Sequence, residues 1–239
     1  MREWFESWFG EEYVALYPHR DAADAEAAVA LIERYLPSRG SESVLDLACG
    51  GGRHAKLLSQ RWQTIGLDLS PVLLNYARKQ APDAHFVRGD MRVLPFADGA
   101  FDAVVNLFTS FGYFADDTSH RSVIAEVARV VRPAGTFVLD FLNTEHIRER
   151  LVPYDERNIG GRIVEQRREI TEDGRYVIKR ICIRDQSREY TERVRLFDKH
   201  ELTSMMKESG FAIEKVFGSY AGDLLSDESP RVIIFGVRH

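Results

Sequence analysis

The chain has 239 residues, 44% of them hydrophobic and 29% charged, with 37 acidic against 32 basic side chains and a formal net charge of −5. Such a chain can bury a large core as one domain with an elaboration, and its composition leaves little room for a long disordered tract. The acidic balance argues against broad coating of nucleic acid or anionic membrane, and Cys49 and Cys182 are too few for a disulfide framework or a cysteine-rich zinc site. No run approaches the roughly 18 apolar residues of a membrane span. The opening Met1-Arg2-Glu3-Trp4 lacks the basic and then apolar pattern of a secretory leader, so a cytoplasmic protein is expected.

Residues 1–40 read as helix in two pieces, the amphipathic Trp4–Phe9 and the Ala- and Glu-rich Ala22–Leu36. Pro18 to Arg20 interrupt them, and Asp21 is suited to cap the second. From Ser43 the texture becomes alternating strand and helix. Val44–Leu47 is a first strand before a glycine cluster, followed by a helix over Arg53–Arg61. Thr64–Leu67 is a second strand ending at Asp68, with Ser70 and Pro71 opening a helix to Gln80. Ala84–Val87 and Phe101–Val105 are the third and fourth strands, Ser119–Val131 a helix, and Thr136–Phe141 the fifth strand after Pro133-Ala134-Gly135. This rhythm predicts βαβ units, hence a parallel sheet covered on both faces. Beyond Arg157 it breaks into three predicted antiparallel strands, Arg162–Thr171, Tyr176–Asp185 and Arg188–Phe197. Turns at Glu172–Arg175 and Gln186-Ser187 join them. A helix over Asp198–Ser209, stopped by Gly210, and strands at Phe211–Tyr220 and Arg231–Val237 complete the chain.

The segment Asp46-Leu47-Ala48-Cys49-Gly50-Gly51-Gly52 joins a strand to a helix through glycines, which let a ligand approach the backbone closely. Gly50-x-Gly52-x-x-Ala55 also fits the loose dinucleotide pattern, so the loop alone does not decide the ligand. The neighbouring acids decide better. Asp46 precedes the glycines, where its carboxylate or an adjacent carbonyl can meet an ammonium. Asp68 ends the second strand, suited to ribose hydroxyls, and Asp90 the third, suited to an adenine amino group. Carboxylates beside a pyrophosphate would repel it, whereas a zwitterionic adenosyl sulfonium suits them.

With these features the chain resembles the class I S-adenosylmethionine-dependent methyltransferases over Ser43–Phe141 and again from Asp198 to Val237. The resemblance rests on the Asp46–Gly52 loop, Gly66-Leu67-Asp68-Leu69-Ser70-Pro71, Arg88-Gly89-Asp90-Met91 with Leu94-Pro95-Phe96, and Phe101–Asn106. Ala48 stands where the family usually has glycine, acceptable at negative φ and problematic at positive φ. The resemblance implies an α/β, Rossmann-like, doubly wound sheet of seven mostly parallel strands in the order 3-2-1-4-5-7-6, with a three-stranded antiparallel insert after the fifth. The implied boundaries are a helical cover at 1–40, a methyltransferase domain at 41–156 and 198–239, and the insert at 157–197. The implied cofactor is S-adenosylmethionine, leaving as S-adenosylhomocysteine. Tyr17, Arg20, Asp46, Ala48, Gly50, Gly52, Asp68, Leu69, Asp90, Met91 and Asn106 are its candidate contacts. Tyr13 joins Tyr17 as a cover aromatic, and Arg20 is read as the partner of the cofactor carboxylate.

Phe108 and Tyr113, in the aromatic stretch after the fourth strand, and Asn143, after the fifth, are candidate acceptor-pocket residues. His19, His54 and His146 read as packing or solvated groups, and no cluster has metal-ligand spacing. The insert carries twelve lysines and arginines against eight acids over residues 157–199. That pattern suits a solvated face with cross-strand pairs, a cover over the acceptor site, or a homodimer surface. A small-molecule acceptor is expected, at nitrogen rather than oxygen because no general base is evident. The competing readings are RNA methylation, disfavoured by the net charge, a nicotinamide-dependent reductase, and a catalytically silent module that only binds S-adenosylmethionine.

Overall fold

A computed structural model describes residues 3–17, 22–36, 42–184 and 188–239. The chain opens with helices α1 (Trp4–Trp8), α2 (Glu11–Leu16) and α3 (Ala22–Tyr35), the first two separated at Gly10, the cap of α2. Then come β1 (Ser43–Leu47), α4 (Arg53–Leu58), β2 (Gln63–Asp68), α5 (Pro71–Gln80), β3 (His85–Arg88), β4 (Phe101–Asn106), α6 (Asp117–Val130) and β5 (Val131–Leu142). After α7 (Thr144–Arg150) follow β6 (Tyr154–Ile159), β7 (Arg162–Ile170), β8 (Tyr176–Ile183) and β9 (Arg188–Arg195). The chain ends with α8 (Lys199–Glu208), β10 (Phe211–Phe217) and β11 (Arg231–Arg238).

Among the described residues the main sheet has seven strands in the order β3-β2-β1-β4-β5-β11-β10, which is the predicted 3-2-1-4-5-7-6. β11 runs antiparallel to both β5 and β10, while the remaining neighbours are parallel. Val44, Leu45 and Leu47 on β1 and Val104 and Val105 on β4 are fully buried, as central strands covered on both faces must be. Local chemistry ends the helices where the sequence indicates. Ser70 Oγ accepts from Leu73 N at 3.1 Å with Pro71 in the first turn, and Asp198 and Glu201 form a reciprocal capping box on α8.

The insert departs from expectation. It is a separate antiparallel sheet of four strands, β6-β7-β8-β9, among the described residues. The added strand, β6, lies on the sheet's outer edge with mostly exposed or half-buried residues, so it lacks the apolar alternation that marks a strand in sequence. The other face of this sheet is apolar near its middle: Val164, Ile181 and Ile183 pack with Trp8, Tyr13 and Leu16 of the N-terminal helices. The Gln186-Ser187 turn, the Asp21 cap, His19 and Arg20 lie outside the described residues. α7, unmarked in the sequence reading, is capped by Asn143, whose Oδ1 accepts from Glu145 N.

Candidate functional site

Parallel strands bring their carboxyl ends to one edge, and the order reverses between β1 and β4. A crevice opens at that point. Here it is a cavity of about 640 Å³, roofed by α1, α2 and the start of α3, and lined below by the glycine loop, the β2 and β3 ends and the loop after β4. That volume lies within the roughly 300–1,000 Å³ of small-molecule sites.

The glycine loop is held in an unusual path. Ala48 has φ +59°, the case the sequence reading marked as problematic, and Gly50 has φ +56°. A left-handed alanine costs about 1–2 kcal/mol. Gly52, φ +81°, caps α4 against α5: a Cβ there would sit 2.8 Å from Ala77 Cβ, so this position excludes every side chain. Ala48 and Gly50 line the cavity, whereas Gly52 lies outside the lining, packed against Ala77 of α5.

Asp68 fixes the loop from the side. Its Oδ2 accepts from Gly50 N and its Oδ1 from Ser70 N, both at 2.8 Å. Burial pushes this carboxyl above its ordinary range, and the amides of Ser70, Gly50 and Leu69 oppose the shift. Asp46 lies deeper, 1% exposed and outside the cavity lining, with Oδ2 unpartnered. Burial first, and then the nearby Asp68 charge, push it up to about 7 against the opposing Arg53 charge and Ala55 amide. Asp90 lines the cavity and is gripped by Arg92: Nη2 donates to Oδ2 at 2.6 Å and Nε reaches both oxygens. Burial raises the Asp90 pKa, but the Arg92 hydrogen bonds and charge outweigh it and hold the carboxyl below its usual range. Leu69 and Met91 supply apolar wall on either side. Asn106 lies beneath, its Nδ2 donating to Leu47 O at 2.8 Å, so it ties the ends of β1 and β4 together.

The loop after β4 forms the other wall. Phe108 and Thr109 both have φ +60°, which is costly for bulky and β-branched residues. A buried cluster holds them. Asp140, 0% exposed, accepts from Phe108 N and from Tyr220 Oη, each at 2.7 Å, and pairs with the Arg231 guanidinium. Arg231 also donates to Thr109 Oγ1 at 3.0 Å. The Phe108 ring thus meets the cavity with the Arg53 guanidinium 4.4 Å from its centroid. Tyr113 carries the cover: Trp4 Nε1 donates to its carbonyl at 3.3 Å, and Phe9 stacks on its ring at 5.7 Å.

The structure therefore gathers Tyr17, Ala48, Gly50, Asp68, Leu69, Asp90, Met91, Phe108 and Tyr113 around one cavity, with Tyr13 beside them. Asp46, Gly52 and Asn106 support it from below, and Arg20 lies outside the described residues. Asn143 is not part of this wall. Its Nδ2 donates to the carbonyls of Ser226, Asp227 and Ser229, stapling the β10–β11 connection. Phe5, Phe9, Glu26, Arg53 and Phe114 also line the cavity, and their sequence spacing gives no sign of it. His54 lines it too, but burial and then the Arg53 and Arg231 charges lower its pKa to about 3, leaving a neutral imidazole and a poor base. Among the described residues no group of three His, Cys, Asp or Glu is arranged to hold a metal. No described helix is long and apolar enough to cross a membrane.

Residues 44–135 match the family model described as a methyltransferase domain. Over that stretch, less than half of its length, the chain is similar to class I S-adenosylmethionine-dependent methyltransferases. Its sequence is similar to a dTDP-3-amino-3,4,6-trideoxy-alpha-D-glucopyranose N,N-dimethyltransferase of Streptomyces venezuelae, 36% identical over 121 residues, covering 50% of this chain and 49% of that protein. The match thus spans about half the length of that relative. The chain also superposes on solved structures. One is an S-adenosylmethionine-dependent methyltransferase from Clostridium acetobutylicum (TM-score 0.82, 16% identity, 95% and 98% of the two chains), a likeness of fold alone. Another is CalS10, an amino pentose methyltransferase from Micromonospora echinaspora solved with S-adenosylmethionine bound (TM-score 0.71, 25% identity, 96% and 97%).

The cavity fits S-adenosylmethionine. Gly50 and Gly51 leave open space where a Cβ would stand, apart from one contact of Gly50 with Leu73 at 4.0 Å. The carboxylates at the strand ends favour a cationic ligand over a pyrophosphate.

Proposed function

We propose that this protein moves a methyl group from S-adenosylmethionine to an amine of a small molecule. The observation that carries the reading is the cavity itself: the Asp68 and Asp90 carboxylates at two strand ends on one side, an aromatic wall on the other, and in His54 an imidazole too weakly basic to serve as general base. When bound, the cofactor would supply an electrophilic methyl on sulfur for transfer to a neutral amine. Asp68, placed by the Gly50 and Ser70 amides, accepts from the ribose hydroxyls. Asp90, held ionised by Arg92, accepts from the adenine amino group, and Leu69 and Met91 sandwich the ring. Arg20 pairs with the cofactor carboxylate.

Phe108 and Tyr113 hold the acceptor, and the N-terminal cover excludes water. Holding the two reactants in line supplies as much as about 7–11 kcal/mol of the barrier. An amine that is already neutral needs no protein base, whereas a hydroxyl acceptor would. The named functions of the similar proteins, an amino-sugar dimethyltransferase and an amino-pentose methyltransferase, support nitrogen and make amino sugars the first acceptors to try.

The test is a panel of small amines with their hydroxyl counterparts, scored by S-adenosylhomocysteine release and product mass. Turnover confined to amines supports the reading. Turnover only with hydroxyl compounds overturns the nitrogen assignment, and binding without turnover of any acceptor favours a silent binding module.

A further inference from the structure

No described residue of the insert lines the cavity, yet the insert reaches it through Tyr17. Lys179, on β8, places Nζ 2.5 Å from Tyr17 Oη and 5.0 Å from the ring centroid. Its cross-strand neighbour on β9, Glu192, holds that ammonium at 3.4 Å. Glu192 also accepts from Trp8 Nε1 at 2.7 Å, and Trp8 is buried against Tyr190 of β9 with ring centroids 4.5 Å apart. A chain of polar contacts thus runs from α1 through two insert strands to the cavity wall. Lys179 and Glu192 are 17% and 18% exposed, so solvent screens this pair less than it screens the ion pairs on the sheet's outer face. A second tie joins the insert to the cover, where Glu12 of α2 meets Arg162 of β7 and, at 3.7 Å, Arg188 of β9.

We propose that Lys179 is a positioning residue for Tyr17, so that the insert governs ligand binding without touching the ligand. An ammonium only donates, so at this contact Tyr17 Oη accepts, and the phenol directs its own O–H away from Lys179. The adjacent positive charge makes that O–H a stronger donor. Tyr17 lines the cavity, so the phenol that Lys179 orients stands in the cover where the cofactor would bind. Glu192 fixes the lysine, and Trp8 fixes Glu192. The insert's role is therefore to orient one phenol of the cover.

The inference rests on the reading that the cavity binds S-adenosylmethionine, and a binding cycle separates the two. Calorimetric titration of S-adenosylmethionine compares the wild-type chain with Lys179→Met, Lys179→Arg, Tyr17→Phe and the Lys179→Met/Tyr17→Phe double variant. Arg180→Met serves as the control, since Arg180 is the next residue of β8 and pairs with Glu169 on the opposite face. Lys179→Met and Tyr17→Phe are each expected to weaken binding by about tenfold, the scale of one charge-assisted hydrogen bond. Lys179→Arg should return to within about threefold of wild type. The double variant should bind no worse than the weaker single, because the two residues act as one unit.

Wild-type-like binding by Lys179→Met, or losses that multiply in the double variant, would overturn the positioning role. If Lys179→Met does not fold, Glu192→Gln replaces it in the cycle, with the same non-additivity with Tyr17→Phe expected. A wild-type chain that takes up no S-adenosylmethionine would instead remove the cofactor reading beneath it.

Discussion

Asp46 is a residue whose chemistry is set by its surroundings. Its folded pKa of about 7 lies well above the ordinary 3.8, so between those values the folded chain holds a proton that the unfolded chain has lost. Stability from this group is therefore full below the unfolded value and is lost as pH rises through about 7. Asp46→Asn should raise thermal stability more at pH 8 than at pH 5; melting curves at the two values test the sign, and an equal effect at both would show that Asp46 is ionised throughout. Asp68 carries a different load, since it braces the glycine loop and is proposed to meet the ribose. Asp68→Ala should weaken S-adenosylmethionine binding by at least about tenfold, or 1.4 kcal/mol; unchanged affinity by calorimetry would remove the ribose role. Ala48 sits at positive φ, so Ala48→Gly relieves strain of about 1–2 kcal/mol against an unfolded-state entropy penalty of about 0.4–1 kcal/mol. A small rise in urea midpoint is expected, and a fall would show that the alanine methyl packs usefully. These acids were readable because each stands at the end of a strand visible in the sequence. Their hydrogen bonds to Gly50, Ser70 and Arg92 were not, since those depend on the loop path.

At the scale of elements, the loop after β4 depends on groups far along the chain. Asp140 at the end of β5, Arg231 at the start of β11 and Tyr220 after β10 together hold Phe108 and Thr109 in a left-handed path. Asp140→Asn keeps the shape but leaves the buried Arg231 without its counter-charge. A loss of about 3–5 kcal/mol in unfolding free energy follows, and a denaturation midpoint within about 1 kcal/mol of wild type would contradict it. The sequence pointed to Phe108 through the aromatic run, but it offered no period linking residues 108, 140, 220 and 231. Asn143 was read as a pocket group for its place just beyond β5. Its amide is instead occupied by three carbonyls, because the chain turns into α7 at that residue. β6 escaped notice for a related reason: an edge strand with one solvated face and charged residues imitates a loop.

For the whole molecule, the alternating strands and helices follow from hydrophobic rhythm and turn residues in the sequence, whereas the sheet order, the antiparallel strand at the end and the covering role of the N-terminal helices came from the family resemblance. What the sequence left hidden is how the parts are fastened. The insert packs against α1 and α2 through Trp8, Tyr13, Val164 and Ile181, so its contribution reaches the cavity indirectly, through the cover. The account rests on the adenosyl group lying across the carboxyl ends of β1, β2, β3 and β4. A crystal structure of the chain grown with S-adenosylhomocysteine tests this most directly. The ribose should lie on Asp68, the adenine between Leu69 and Met91 beside Asp90, and the sulfur should face Phe108. A crevice that stays empty at saturating S-adenosylhomocysteine, yet fills with a dinucleotide whose pyrophosphate sits on Gly50 and Gly51, would contradict it.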